Sequence, residues 1–273
     1  MDWNKSNIVL IIAFLLINIF LLFSILYNNG SEDATEKNFK LALEEMLTEK
    51  GISISSEIPK AYGKAPFLEL EYGQIKLTEE MIKLYIEDFD GEFYENVYDY
   101  SSKSAKLSKI GNNKLVYEKL ETDDVIKIMN VDENKKIISD FCRSHDIDMK
   151  GFMEESYFIN EEYEIYEFKQ MYEGFSIDNS YRKFFIKKHE IVRFEMQTVD
   201  DIIKKAEVDV VNPYEALIRV ITEKDNFNKE IIDMKACYYN SKSDLDTTLD
   251  YFDSDLVWKV IFSDGSYFYL DEH

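Results

Sequence analysis

The chain has 273 residues, a net charge of −22 and 45% hydrophobic residues, including 19 Phe and 19 Tyr. Charge of that sign repels the phosphate backbone and excludes ordinary nucleic-acid binding, while the apolar content suffices for packed cores and excludes wholesale disorder. Two cysteines, Cys142 and Cys237, are too few for a disulfide scaffold.

The first element in chain order is an uncharged run from Ile8 to Tyr27, broken only by the polar Asn18 and Ser24. At about 1.5 Å per residue such a helix spans about 30 Å, the thickness of a bilayer's hydrocarbon core. A cleavable signal peptide would have a shorter apolar region and a small-x-small cleavage site. This run ends instead in Leu26-Tyr27-Asn28-Asn29-Gly30, so the sequence predicts an uncleaved single-pass anchor. Lys5 and the α-amino group on the short flank place the N-terminus inside and the bulk of the chain outside the cytoplasm. Asn18 needs a hydrogen-bond partner at that depth. Its own backbone is one choice; a second membrane helix is the other, met by the face Ile11, Phe14, Leu15, Asn18, Leu22 and Ile25.

After a hinge at 28–33 the spacing predicts a helix over Thr35 to Lys50, with Phe39, Leu43, Met46 and Leu47 at helical intervals and Gly51 as its cap. Strand patterns follow at Ile52 to Ile54 and Phe67 to Tyr72. A second helix opens at Thr78-Glu79-Glu80 and closes at Asp90-Gly91. Phe93 to Leu120 reads as strands, with a hairpin turn at Gly111-Asn112-Asn113. Asp132 is a candidate N-cap for a helix reaching His145, with Ile137, Ile138 and Phe141 on one face. Strands are expected at Met153–Ile159, Tyr163–Tyr172, Tyr181–Lys188 and Ile191–Thr198, the last two joined by a turn at His189-Glu190. Pro213 begins a helix carrying Ala216, Leu217, Val220 and Ile221. Ile231–Tyr239, Leu256–Phe262 and Ser266–Leu270 close the chain as strands, the last pair joined by Ser263-Asp264-Gly265.

The expected fold is therefore α+β: one N-terminal transmembrane helix, then two tandem subdomains of antiparallel sheet packed with helices. The divisions are 1–7 inside, 8–27 in the membrane, 28–33 as linker, 34–130 and 131–273 as the two subdomains.

Catalytic constellations do not emerge. There is no Gly-rich phosphate loop, no G-x-S-x-G elbow and no H-E-x-x-H, and His145, His189 and His273 are too scattered for zinc. With 54 acidic residues any chosen carboxylate pair carries no information. No catalytic, cofactor or metal residue is assigned and no small-molecule substrate is expected. Asp244, Asp246, Asp250, Asp253 and Asp255 form the one oxygen-rich cluster. It lacks the glycine and terminal glutamate of an EF-hand loop and reads as a solvated acidic loop. The aromatic stripes Tyr163, Tyr166, Phe168 and Tyr267, Phe268, Tyr269 read as sheet core. A bridge between Cys142 and Cys237 would require their backbones to lie close.

The opening Met1-Asp2-Trp3-Asn4-Lys5, followed by Ile11-Ile12-Ala13-Phe14-Leu15 and Asn18-Ile19-Phe20-Leu21, resembles the start of the YycI family. Gln170-Met171-Tyr172-Glu173-Gly174-Phe175 through Val192-Arg193-Phe194 is similar to the extracytoplasmic YycI/YycH domain. Trp258-Lys259-Val260, Asp264-Gly265 and Tyr267-Phe268-Tyr269 are of the same general type. The resemblance implies a non-enzymatic membrane regulator lying beside a WalK-like sensor histidine kinase of the WalK/WalR (YycG/YycF) two-component system of Gram-positive bacteria. A YycH-like protein would be a third member. The alternative from another class is a tethered extracytoplasmic binding module for a wall-associated ligand or calcium, independent of a kinase.

Overall fold

A computed structural model describes residues 38–120, 131–159, 162–245, 248 and 250–270. In chain order they form helix α1 (38–49), strands β1 (Ser53–Ile54) and β2 (Lys64–Tyr72), and helix α2 (Glu79–Tyr85). Strands β3 (Asp99–Ser101), β4 (Ala105–Ile110) and β5 (Lys114–Lys119) then lead to helix α3 (Val131–Ser144). Next come β6 (Phe152–Ile159), β7 (Glu164–Tyr172), β8 (Phe175–Lys187), β9 (Glu190–Gln197) and β10 (Val199–Asp209). The last elements are α4 (Pro213–Thr222), β11 (Glu230–Tyr239), the short α5 (Ser241–Leu245), β12 (Tyr251–Phe262) and β13 (Tyr267–Leu270).

Local chemistry accounts for most boundaries. The Asn212 side chain accepts from Tyr214 N at 3.0 Å and Pro213 occupies the first helical position, so α4 starts where its sequence demands. At the end of α1, Gly51 N donates to Thr48 O and Ile52 N to Leu47 O, with Gly51 at φ +72°. That is a Schellman cap, which needs a residue free to enter the left-handed region. Both long hairpins turn on two residues with positive φ, Glu173-Gly174 and Lys188-His189, as a primed two-residue turn requires.

The architecture is α+β, with five helices among the described residues and one large, mostly antiparallel sheet. Its main path runs β10-β2-β12-β11-β8-β9-β5-β4-β3; β13 pairs with β12, β1 with β11, and β6 reaches β8 through β7. Only β1 and β8 run parallel to their neighbour, in both cases β11, among the described strands.

Two buried apolar centres share this sheet. The first gathers Leu43 and Leu47 of α1, Leu68 and Leu70 of β2, Leu217 and Val220 of α4, and Trp258 and Val260 of β12. The second gathers Ile82 and Tyr85, Leu107, Leu115, Ile138 and Cys142, with Tyr166, Phe184 and Phe194. Each centre draws on both sides of residue 130, and β2 and β5 pair with strands from the far half of the chain. The division into tandem subdomains at 130 thus does not match the packing: long-range strand pairing interleaves the halves, and hydrophobic burial follows the sheet rather than chain order.

Other elements shift more modestly. α2 ends at Tyr85 rather than Asp90, and of Phe93 to Ser101 only Asp99–Ser101 is strand. β10 is an element that the apolar pattern does not reveal. It carries Asp200, Asp201, Lys204, Lys205, Glu207 and Asp209 and lies on the sheet's edge against β2, where charged side chains are the usual defence against further pairing. The apolar run 8–27, with Ile11, Phe14, Leu15, Asn18, Leu22 and Ile25, lies outside the described residues. Among those described, no helix is long and apolar enough to cross a membrane.

Candidate functional site

The sheet's most unusual feature is a polar cluster placed by two bulges. In the β7–β8 ladder Lys169 pairs with Tyr181 but Gln170 pairs with Ile177, so Asp178, Asn179 and Ser180 bulge out of the strand register between them. In the β6–β7 ladder Glu154 pairs with Phe168 and Ser156 with Glu167, leaving Glu155 as an extra residue. Bulges of this kind re-aim side chains. Here both aim carboxylates at Lys259, which the alternation of β12 turns away from Trp258 and Val260 and out of the first core.

Asp178 is the hub. Lys259 Nζ and Tyr269 OH both donate to its Oδ2, at 2.6 and 2.7 Å, and Ser176 Oγ donates to its Oδ1 at 2.7 Å. Lys169 Nζ donates to the Asp178 main-chain carbonyl at 2.7 Å and pairs with Glu167 at 2.9 Å. Glu155 holds Lys235 at 2.6 Å through Oε1, with Lys259 3.8 Å from Oε2. Three lysines therefore face three carboxylates, and the Lys259 and Asp178 side chains are 5% and 0% exposed.

Burial alone would discharge such groups. It opposes the charged form of Asp178, but Lys169 and Lys259 outweigh it and hold the carboxyl well below its ordinary range. Glu167 is lowered the same way, burial being overcome by Lys169 and Lys183. Burial likewise works against Lys169 and Lys259, and the neighbouring carboxylates, Glu167 for the first and Asp178 for the second, raise both above the usual lysine value. Tyr269 is raised by burial and by Asp178, and stays protonated as a donor.

A groove of about 390 Å³ opens over this network, lined among others by Lys114, Tyr181, Glu195, Tyr239, Tyr267 and Tyr269. Tyr239 and Tyr269 stack at 3.5 Å between centroids, and Lys259 lies 4.7 Å from the Tyr267 ring. The groove thus offers aromatic faces beside fixed charges of both signs, a combination suited to orienting a polar ligand.

The aromatic stripes divide. Tyr166 and Phe168 belong to the second core and Phe268 packs on the first, as the core reading expects, but Tyr267 and Tyr269 flank the ion network instead. Of the aspartate cluster, Asp250 accepts from Gln74 Nε2 at 2.9 Å, and Asp253 and Asp255 lie on β12; the side chains of Asp244 and Asp246 lie outside the description. Among the described residues no three His, Cys, Asp or Glu side chains gather to hold a metal ion. Cys142 and Cys237 are both buried free thiols. Cys142 sits on α3 in the second core, and Cys237 lies on β11 beside Asp178. His145 stacks on Phe141 at 4.0 Å, and His189 is a turn residue.

The network itself was missed by motif reading, because carboxylates are too abundant to single out. One signal was available: Lys259 interrupts Leu256-Val257-Trp258-Lys259-Val260-Ile261-Phe262. A lysine inside a continuous apolar strand is buried, and a buried lysine needs a carboxylate.

No family model matches the chain, and no curated protein matches it. Among solved structures it is similar to the Bacillus megaterium YpeB C-terminal domain, at 10% identity and a TM-score of 0.35, over 73% of this chain and 95% of that one.

Proposed function

We propose that this chain is a membrane-anchored, non-enzymatic regulator of a sensor histidine kinase of the WalK/WalR cell-wall type. Residues 8–27 hold it as a single-pass protein of the cell membrane, with its acidic domain outside the cytoplasm and a YycH-like protein as a further partner. The observation that carries the reading is the opening of the chain, where Asp2-Trp3 and Lys5 precede an apolar run with Asn18 near its middle. The buried network agrees with a non-catalytic role. A general acid or base needs a pKa near the working pH, whereas Asp178, Glu167, Lys169 and Lys259 are all displaced towards permanent charge. The domain would then act by contact, favouring one conformational state of the kinase. A coupling of about 1–3 kcal/mol changes such populations several-fold or more.

The test is a membrane pull-down of the native chain beside Asn18→Leu, with partners identified by mass spectrometry. A sensor kinase recovered with the native anchor and lost with the variant supports regulation through the membrane helices. Equal recovery moves the contact to the outer domain. No kinase in either sample, in detergent that preserves a control complex, refutes the proposal.

A second reading, the tethered binding module, is favoured by the tyrosine-lined groove over the ion network. Exchanging residues 8–27 for an unrelated membrane helix separates the two. It abolishes kinase regulation and leaves a tethered binding activity intact.

A further inference from the structure

Strand register rules the floor of the groove over the ion network. Glu167 of β7, Lys183 of β8 and Glu195 of β9 lie side by side across the sheet. The next row holds Lys169, Tyr181, Gln197 and Lys114, from β7, β8, β9 and β5. All seven line the groove. Alternation along β8 sends Phe184 into the second core and turns Tyr181 and Lys183 the other way. β13 builds a wall with Tyr269 and with Tyr267, which is 52% exposed although Lys259 lies 4.7 Å from its ring.

The floor's carboxylates already have their cations. Lys169 pairs with Glu167, Lys259 with Asp178, and Lys114 with Glu195 at 3.4 Å. Lys183 is the extra cation between Glu167 and Glu195. Among the described residues it makes no hydrogen bond or close ion pair, its ammonium standing 5.7 and 5.5 Å from the Phe158 and Phe185 ring centroids. Lys183 is only half-buried and the Lys114 side chain is 25% exposed, so these donors stay within reach of a ligand. We propose that the groove binds a neutral β-linked oligosaccharide of glucose configuration, with the C–H face of one ring on Tyr267 and its hydroxyl edge towards Lys183 and the Lys114–Glu195 pair.

Each property of the ligand has its own argument. It is neutral because a charged group would enter a half-buried field whose three carboxylates and lysines already offset one another, and would pay desolvation without a free counter-charge. It is polyhydroxylated because a hydroxyl both donates and accepts, and so serves an ammonium and a carboxylate standing next to each other. Its ring substituents are equatorial because only then are both ring faces C–H surfaces, able to lie on a tyrosine that is apolar over its face and wet at its tip. The groove's volume of about 390 Å³ is that of a small-ligand site. The inference deepens the binding-module reading and rests on it.

The test uses the full chain in lipid nanodiscs and saturation-transfer NMR, which reads weak binding, with cellotriose as probe. Expected is saturable transfer, strongest at ring C–H protons. Tyr267→Ala should weaken binding at least tenfold and Lys183→Met several-fold. Tyr251→Ala, at a tyrosine of β12 that is 53% exposed and outside the groove, should leave binding unchanged. All three side chains reach solvent, so an unchanged Tm is expected of each variant. Absence of saturable transfer overturns the proposal, as does undiminished binding to Tyr267→Ala. Equal binding of the glucosamine trisaccharide, whose amines are protonated, also overturns it. Triglycine, a zwitterion, separates the two levels of the argument. If triglycine binds through Tyr267 and cellotriose does not, the sugar is wrong and the binding module stands; if neither binds, the groove supports neither.

Discussion

Lys259 and Arg182 are equally buried cations on the same sheet, and their environments push them in opposite directions. Lys259, beside the first core, has Asp178 at 2.6 Å and its pKa rises. Arg182, beside the second, is bonded to the carbonyls of Tyr181 and Gln197 and lies 4.2 Å from the Phe152 ring. Burial lowers its pKa to about 10. Its neighbours behave alike: burial pushes Tyr85 up, Cys142 up to about 11 and His145 down. A full opposite charge at hydrogen-bond distance overcomes desolvation, whereas carbonyl dipoles and an aromatic face do not.

The sharpest way to break this comparison is to remove one partner of the charged pair. Asp178→Asn leaves Lys259 buried without its carboxylate, and a loss of about 3–5 kcal/mol is expected, read from denaturant unfolding followed by the fluorescence of the buried Trp258. Arg182→Met should cost far less, about 1–2 kcal/mol, because it removes packing and two carbonyl contacts but strands no opposite charge. Equal losses would sink the contrast.

Titration sharpens it further. Asp178 and Glu167 have lowered folded values, so their contribution is complete above the ordinary carboxylate range, about pH 4, and is lost as pH falls through the folded values. Lys169 and Lys259 have raised values. Their contribution is complete below about pH 10 and is lost as pH rises through the folded values. Stability owed to the network is therefore flat across neutral pH, and Asp178→Asn should flatten the acid arm. His145 is lowered by burial, so stability is complete above its ordinary value, about 6.5, and declines as pH falls through the folded one. His145→Phe is expected to remove the slope between pH 7 and 5. Persistence of that slope would place the titrating group elsewhere.

An effect of the same size as that of Arg182→Met lies in the backbone. Gly51→Ala forces a side chain into the left-handed region at φ +72° and against Asn228, which should cost about 1–2 kcal/mol. A neutral result would show that the α1 cap relaxes without loss.

Elements whose signal is local were legible in the sequence. α4 announced itself through Asn212-Pro213 and its apolar face, the end of α1 through Gly51, and the β4–β5 hairpin through Gly111-Asn112-Asn113. β10 was not, because an edge strand with one solvated side shows charge rather than alternation. The candidate site was almost wholly hidden. Lys259 within its apolar strand was the one visible mark, and nothing marked Asp178 or Glu155 as its partners.

The sequence by itself determined the composition class and most helices and strands, since the signal of each element lies in residues a few positions apart. The tertiary structure alone decided that the two halves interleave in one sheet, and that Asp178 and Lys259, 81 residues apart, meet at 2.6 Å. The reason is physical: strand order and bulge position depend on pairings across the whole chain, and a buried charge becomes tolerable only where such a pairing brings its counter-charge within hydrogen-bond reach.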